Sequence, residues 1–370
     1  MGEAILAVMA MGSAMVISLT LVPASRALGA RWSVLDHPGA RKIHESPMPR
    51  TGGWAVFLAF MLAVAIGWAL RSHLAEIPAL AEVAAPGFRM LAEAGRVGDK
   101  LAAVLGGATL AFLVGLADDV FGARFPVGWK AAGQVAAASL VVAAGVKTSF
   151  LPYEWMNVAF TIVWLVGITN AFNLLDNMDG LSAGVALVAS FVLLVNAWVL
   201  GEYFISLLLL AFIGALAGFL VFNVGRANVF LGDCGSHFIG FTIASLTLLE
   251  RYVSHASSSY FPILMPVLVL AVPILDTTTV VVIRYREGRP IYVGDSRHLS
   301  HQLVALGLSR RAAVLFLWAT TFFLGMGALS LPHAPLTQSL LVLVQSAGFI
   351  ALLLVLLFTR SAAARRAEIR

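Results

Sequence analysis

The sequence predicts an all-α fold, a polytopic membrane helical bundle of about eleven transmembrane helices, from three observations. Of its 370 residues, 60% are hydrophobic and 12% charged, against roughly 25% charged in a soluble domain. So little charge cannot cover a water-facing surface, and the mean hydropathy of +0.92 agrees. The apolar residues fall into runs of about 20, the length that crosses a bilayer. Lysine and arginine are spread unevenly between alternate loops, as membrane topology requires. A soluble globular protein is excluded. With one cysteine, Cys234, so are a disulfide framework and any multi-cysteine metal site. The net charge of +5 and isoelectric point near 9.7 are read as a topology signal, and no nucleic-acid partner is expected.

The spans are expected near residues 4–24, 52–70, 100–117, 131–146, 157–175, 181–200, 204–222, 236–253, 261–283, 312–330 and 338–359. The first is a span and not a cleaved signal, because it lacks a basic n-region and its apolar run is too long. The third to fifth are rich in Ala, Gly and Val, which suits helices buried inside a bundle. The chain is read as a single integral membrane domain, 1–370, with chemically dense loops near 25–51, 118–130, 173–180, 223–236 and 284–311. Eighteen of the 24 Lys and Arg residues lie on one side of this arrangement, including the six arginines from Arg284 to Arg311 and four in the tail from Arg360. By the positive-inside rule that side is cytoplasmic, which puts the N-terminus outside and the C-terminus in the cytoplasm. All of the nine aspartates except Asp99 fall on or near the same face. Acids contribute little to topology, so a different cause placed them there.

The first dense loop carries Asp36, Arg41, Lys42, His44 and Arg50 ahead of Gly52 and Gly53. It reads either as a topology anchor with a turn or as a phosphate cradle at a helix start. Next come Asp118 and Asp119, followed by Lys130. Adjacent carboxylates at a membrane boundary repel each other, which a divalent cation or a helix-capping role would relieve. In the run from Asn170 to Gly180, Asn173, Asp176 and Asp179 or Gly180 recur at three- and four-residue spacing, so they share one helical face or its unwound end. The fourth loop holds Asn223, Phe230 and Asp233, with Gly232 and Gly235 letting backbone approach the aspartate closely. Asp276 lies within the ninth run, where an acid is a functional candidate or a hydrogen-bonded partner for the threonines beside it or an arginine. His298 and His301 stand one turn apart among arginines, a pattern suited to a phosphate or carboxylate partner. Acids for a metal, cations for phosphate and amides for a base or sugar together point to phosphoryl transfer by positioning and charge neutralisation. No Walker A signature is present, so ATP hydrolysis is not expected.

These motifs resemble one family, the polyprenyl-phosphate N-acetylhexosamine-1-phosphate transferases of glycosyltransferase family 4. The pieces are Leu116-Ala117-Asp118-Asp119, Asn170 to Leu181, Phe230 to Ser236, Pro273 to Thr277, and Asp295 to His301, in family order across residues 36 to 303. The family includes the phospho-N-acetylmuramoyl-pentapeptide transferase of peptidoglycan synthesis and the enzymes that load GlcNAc-1-phosphate onto undecaprenyl phosphate. The resemblance implies an Mg²⁺-dependent exchange, with Mn²⁺ as the alternative ion. Undecaprenyl phosphate attacks the sugar-proximal phosphorus of a UDP-N-acetylhexosamine and UMP leaves, which starts a lipid-linked cell-envelope glycan. It also implies roles. Asp233 would ligate the metal, and Asp118 and Asp119 would act as base or metal partner, their division left open. Asn173, Asp176 and Asp179 would hold the nucleotide side with Asn223, and Phe230 would stack on uracil. Lys130 would balance phosphate charge, His298 and His301 would line diphosphate and sugar, and His44 and Arg50 would meet the lipid phosphate. The implied setting is the bacterial inner membrane, multi-pass, with the site on the cytoplasmic face; a homodimer is left open. One departure stands out: Ser300 replaces the middle histidine of the family's His-x-His-His motif. The end of that motif resembles the GlcNAc branch, so UDP-GlcNAc is the expected donor and the pentapeptide transferase the second reading. A secondary transporter predicts acids at span centres and an internal repeat, whereas most acids here lie at one face and no repeat is evident. A diphosphatase leaves the asparagine-rich motif unexplained, and a non-catalytic relative has only Ser300 in its favour.

Overall fold

The computed structural model describes residues 2–36, 47–74, 98–253, 259–290 and 297–368. All eleven expected runs are helical. The helices form two compact units, Met1–Arg251 and Tyr252–Arg370. The first contains α1 (Gly2–Arg31), α2 (Gly52–Leu74), α3 (Gly98–Phe121) and α4 (Val127–Ala143). It continues with α5 (Glu154–Leu175), α6 (Leu181–Val199), α7 (Tyr203–Asn223) and α8 (Gly232–Leu249). The second contains α9 (Met265–Val269), α10 (Ala271–Arg286), α11 (Leu299–Ala305), α12 (Arg310–Ala328) and α13 (Leu336–Glu368). Two short antiparallel strands interrupt the helical pattern, β1 (Leu35–Asp36) and β2 (Met48–Pro49), with Leu35 opposite Pro49.

Eight helices among the described residues are long and apolar enough to cross a membrane: α1 to α3, α5 to α7, α12 and α13. The molecule is a multi-pass membrane protein. The other three expected spans fall short for visible reasons. Helix α4 has only 17 residues. Helix α8 begins with Asp233, Ser236 and His237, which lower the apolar character of its first turns. The ninth run is broken, its halves Phe261–Val269 and Ala271–Arg286 meeting at 71°. Pro273 sits just past that break and has no N–H with which to continue the ladder.

Within the first unit α7 and α8 are the most enclosed helices. Between helices in lipid there is no hydrophobic force, so their association depends on close contact and polar pairing. Helix α7 meets α1 through Gly214 and Gly218: a Cβ on Gly214 would fall 2.1 Å from the Met11 carbonyl oxygen. Ser18 Oγ then donates to the Ala215 carbonyl at 2.8 Å. Phe60, Phe212 and Phe238 join α2, α7 and α8 in an edge-to-face cluster with centroids 5.6 to 6.2 Å apart. Polar groups gather at the two ends of this bundle. At one end Arg251 Nε pairs with buried Glu202 at 2.5 Å and Asn196 donates to buried Glu250 at 2.7 Å. The other end carries the candidate site.

Candidate active site

Five helix ends converge there: the C-termini of α3, α5 and α7 and the N-termini of α4 and α8. Lys130, in the first turn of α4, is the hub. Its Nζ donates to Asp118 Oδ2 at 2.6 Å and Asn173 Oδ1 at 3.3 Å, and lies 3.7 Å from Asp233 Oδ2. Asn173 reaches the other way, its Nδ2 donating to Asp233 Oδ1 at 2.9 Å and to Ser236 Oγ at 3.0 Å. Asp118 and Asp233 therefore face the same ammonium. Side-chain exposure of 19% for Asp118 and Lys130 and 35% for Asp233 leaves this cluster open to a ligand. Two carboxylates brought together this way repel, and one ammonium offsets only part of that.

Asp119 sits differently. Its Oδ1 accepts the N–H of Asp233 and its Oδ2 the N–H of Cys234, both at 2.9 Å. It therefore caps the N-terminus of α8, where a carboxylate satisfies orphan donors and complements the helix dipole. The turn beneath it tolerates no side chain. Gly232 has φ +77°, and a Cβ there would lie 2.4 Å from the Arg50 carbonyl oxygen and 2.8 Å from Asp119 Oδ2. A Cβ on Gly115, one turn before Asp119 on α3, would lie 2.3 Å from the Asp233 carbonyl oxygen. Inside the same turn Cys234 is fully buried.

The loop 176–180 follows α5 directly, so Asn173 sits on the last helical turn and Asp176 and Asp179 on its unwound continuation. Two of the predicted ligands hold this loop in place. Buried Asn223, the last residue of α7, accepts the Gly180 N–H at 2.7 Å and donates to the Val229 carbonyl at 2.9 Å. Asp179 Oδ2 accepts the Ala227 N–H at 3.2 Å. Half-buried Asp176 has its carboxyl raised well above the ordinary 3.8, by burial first and then by the charges of Asp233 and Asp119, with Arg50 opposing. Phe230, half-buried, is tied by backbone to both neighbours: its N–H donates to the Pro49 carbonyl at 2.8 Å, and its carbonyl accepts the Gly52 N–H at 2.9 Å. Arg50 pairs with Asp36 through its guanidinium. His44 lies outside the described residues.

In the second unit, His298 stands just before α11 and donates from Nδ1 to Asp276 Oδ2 at 2.7 Å, while Asp276 Oδ1 accepts the Leu299 N–H at 2.6 Å. His301 follows with its ring centre 6.3 Å from that of His298. Burial first, and then the charges of His298 and Arg310, hold His301 below the usual imidazole range, against Asp276. Ser300 between them is buried at 1% exposure, so the departure at this position faces packed protein.

Sequence reading passed over several supporting residues. Ser236 and His237 stand three and four positions after Asp233, a spacing that puts them over the same helical turn. His237 is buried, and its Nδ1–H donates to the Asp233 carbonyl at 2.6 Å. Gln134, one turn beyond Lys130, exchanges hydrogen bonds with Asn170, one turn before Asn173, at 2.8 and 3.3 Å. Among the described residues no group of three or more His, Cys, Asp or Glu side chains encloses a metal by itself.

Comparison with known proteins agrees with this geometry. The model of the family "Glycosyl transferase family 4" matches residues 101–250, the stretch that carries Asp118 through Ser236. A Bacillus subtilis protein named "Probable undecaprenyl-phosphate N-acetylglucosaminyl 1-phosphate transferase" is 31% identical over 334 residues, covering 88% of this chain and 85% of its own. A Mycolicibacterium smegmatis decaprenyl-phosphate N-acetylglucosaminephosphotransferase is 32% identical over 332 residues, 82% of this chain and 77% of its own. A Geobacillus kaustophilus phospho-N-acetylmuramoyl-pentapeptide-transferase is 33% identical over 175 residues, only 46% of this chain. With relatives matched along most of both chains, and with the matched motifs meeting around Lys130 and Asp233, this chain belongs to glycosyl transferase family 4.

Proposed function

We propose that the protein transfers GlcNAc-1-phosphate from UDP-GlcNAc to undecaprenyl phosphate, releasing UMP. The observation that carries this reading is the cluster of Lys130, Asp118, Asn173 and Asp233 on converging helix ends, a site built for phosphates beside lipid. The Bacillus and Mycolicibacterium relatives, matched along most of their length, are named for GlcNAc-phosphate transfer, and the pentapeptide transferase matches under half of this chain. A phosphate oxygen of the lipid forms a bond to the sugar-proximal phosphorus, and the bond from that phosphorus to the oxygen bridging to the uridine-side phosphate breaks. That bridging oxygen leaves with UMP. Asp118 is positioned to accept any proton still on the lipid phosphate; Asp119 has both oxygens committed to backbone N–H groups, so its part is to hold Asp233 in place. Lys130 balances charge gathered at the phosphates, and Asn173 fixes the Asp233 carboxylate.

A donor set of two carboxylates, Asp118 and Asp233, fits Mg²⁺, which takes one or two carboxylates and completes its shell with phosphate oxygens and water. When bound, the ion neutralises charge on the transferring phosphoryl group. On an arrangement of eleven crossings, the cation count favours the N-terminus outside and the site on the cytoplasmic face of the bacterial inner membrane, where a soluble UDP-sugar is at hand. The test is purified protein in detergent with undecaprenyl phosphate, Mg²⁺ and UDP-GlcNAc, following UMP. UMP release is expected with this donor, and Asp233→Asn should lower turnover by about 10³-fold. Monodisperse protein that yields no UMP from any UDP-N-acetylhexosamine overturns the reading.

A further inference from the structure

We infer that Asp276 is a positioning residue that fixes the tautomer and aim of His298. Asp276 lies on α10 with no exposed surface, and both of its oxygens are committed to the start of α11, one to His298 Nδ1–H and one to Leu299 N–H. The pair orients the ring by two constraints at once, because the same carboxylate holds the backbone that follows it. With the proton kept on Nδ1, Nε2 of His298 is the nitrogen left to meet substrate. Among the described residues His301 on α11 lies beside it, and Arg310 at the start of α12 acts on His301. A carboxylate behind an imidazole is the arrangement that keeps a working histidine in one tautomer, and its replacement by an amide flips the ring's proton without moving the fold. The inference rests on the transferase reading, in which His298 meets the diphosphate or sugar.

Asp276→Asn is the test, since asparagine keeps the volume and can still accept the Leu299 N–H while donating to His298 Nδ1. We expect kcat for UMP release to fall about 10²-fold, with KM for UDP-GlcNAc changing by less than about threefold. In a His298→Gln background the same substitution should add no further loss, because Asp276 acts through that ring. The ¹⁵N spectrum of histidine-labelled protein in bilayers, with His298 assigned by its disappearance in His298→Gln, should show Nδ1–H in the wild type and Nε2–H in Asp276→Asn. Loss of turnover in both variants that multiplies in the double variant overturns the inference, and so does an Nε2–H tautomer in the wild type, whatever the variants do. If His298→Gln itself leaves turnover intact, the role given to His298 fails. If His298→Gln is impaired and Asp276→Asn is not, only the role given to Asp276 fails.

Discussion

At Asp119 the carboxylate spends its two oxygens on the first N–H groups of α8, while its neighbour Asp118 turns to Lys130. The sequence announces two acids at a membrane boundary, and that much was legible from the cost of placing them there. Their division of labour was not, because it depends on α8 arriving from more than a hundred residues away. Asn223 and Asp179 are similar cases: their polarity was readable, but their use as latches between loops 176–180 and 224–231 follows from tertiary contact alone. Asp176 gives a prediction at this scale. Its carboxyl is raised in the folded protein, so that state keeps a proton which the unfolded chain releases above about 3.8. The stability this group contributes is complete below that pH and is lost as pH rises through the raised value. Metal-free protein in detergent should therefore lose thermal stability as pH climbs from the acid side, and Asp176→Asn should flatten that slope by one proton's worth. Equal slopes for the two proteins would refute the assignment.

Among the elements, helix identity was the most readable feature, since runs of about 20 apolar residues leave few other structures open in lipid. The failures have physical reasons. Helix α8 reads as an ordinary span near 236–253, yet it starts at Gly232 because Asp119 supplies its cap from another helix. The ninth run reads as one helix because a proline early in an apolar stretch does not reveal a bend of 71°. Close approach also leaves only a faint trace in sequence: Gly115 looks like any small residue of an Ala- and Gly-rich span, but it lies against the Asp233 backbone. Gly115→Ala should cost about 3 kcal/mol or more in detergent thermal stability, through overpacking against a rigid carbonyl. Gly128→Ala, in the first turn of α4 with open space around it, should be neutral or slightly stabilising. Comparable midpoints for the two variants would remove the role given to this contact.

Among the described residues the charged groups of the candidate site gather at helix ends, and the scarcity of charge in the sequence is what made that gathering readable. The division into two units left no comparable trace, because the break after Arg251 falls in a short polar connection like several others. The proposed orientation can be checked with Tyr153→Cys, in the exposed turn before α5, and Asn228→Cys, in the exposed loop before α8. A maleimide that does not cross membranes should label the first and not the second in intact spheroplasts, and the opposite pattern would invert the topology. That experiment needs no removal of the native cysteine first. The chain's one thiol, Cys234, is enclosed in the turn that Asp119 caps, so the unmodified protein is silent to the reagent. A residue sealed in by the architecture of the site thus leaves every water-facing position available for a single-label map of the membrane, and later for distance measurements between pairs of labels during turnover.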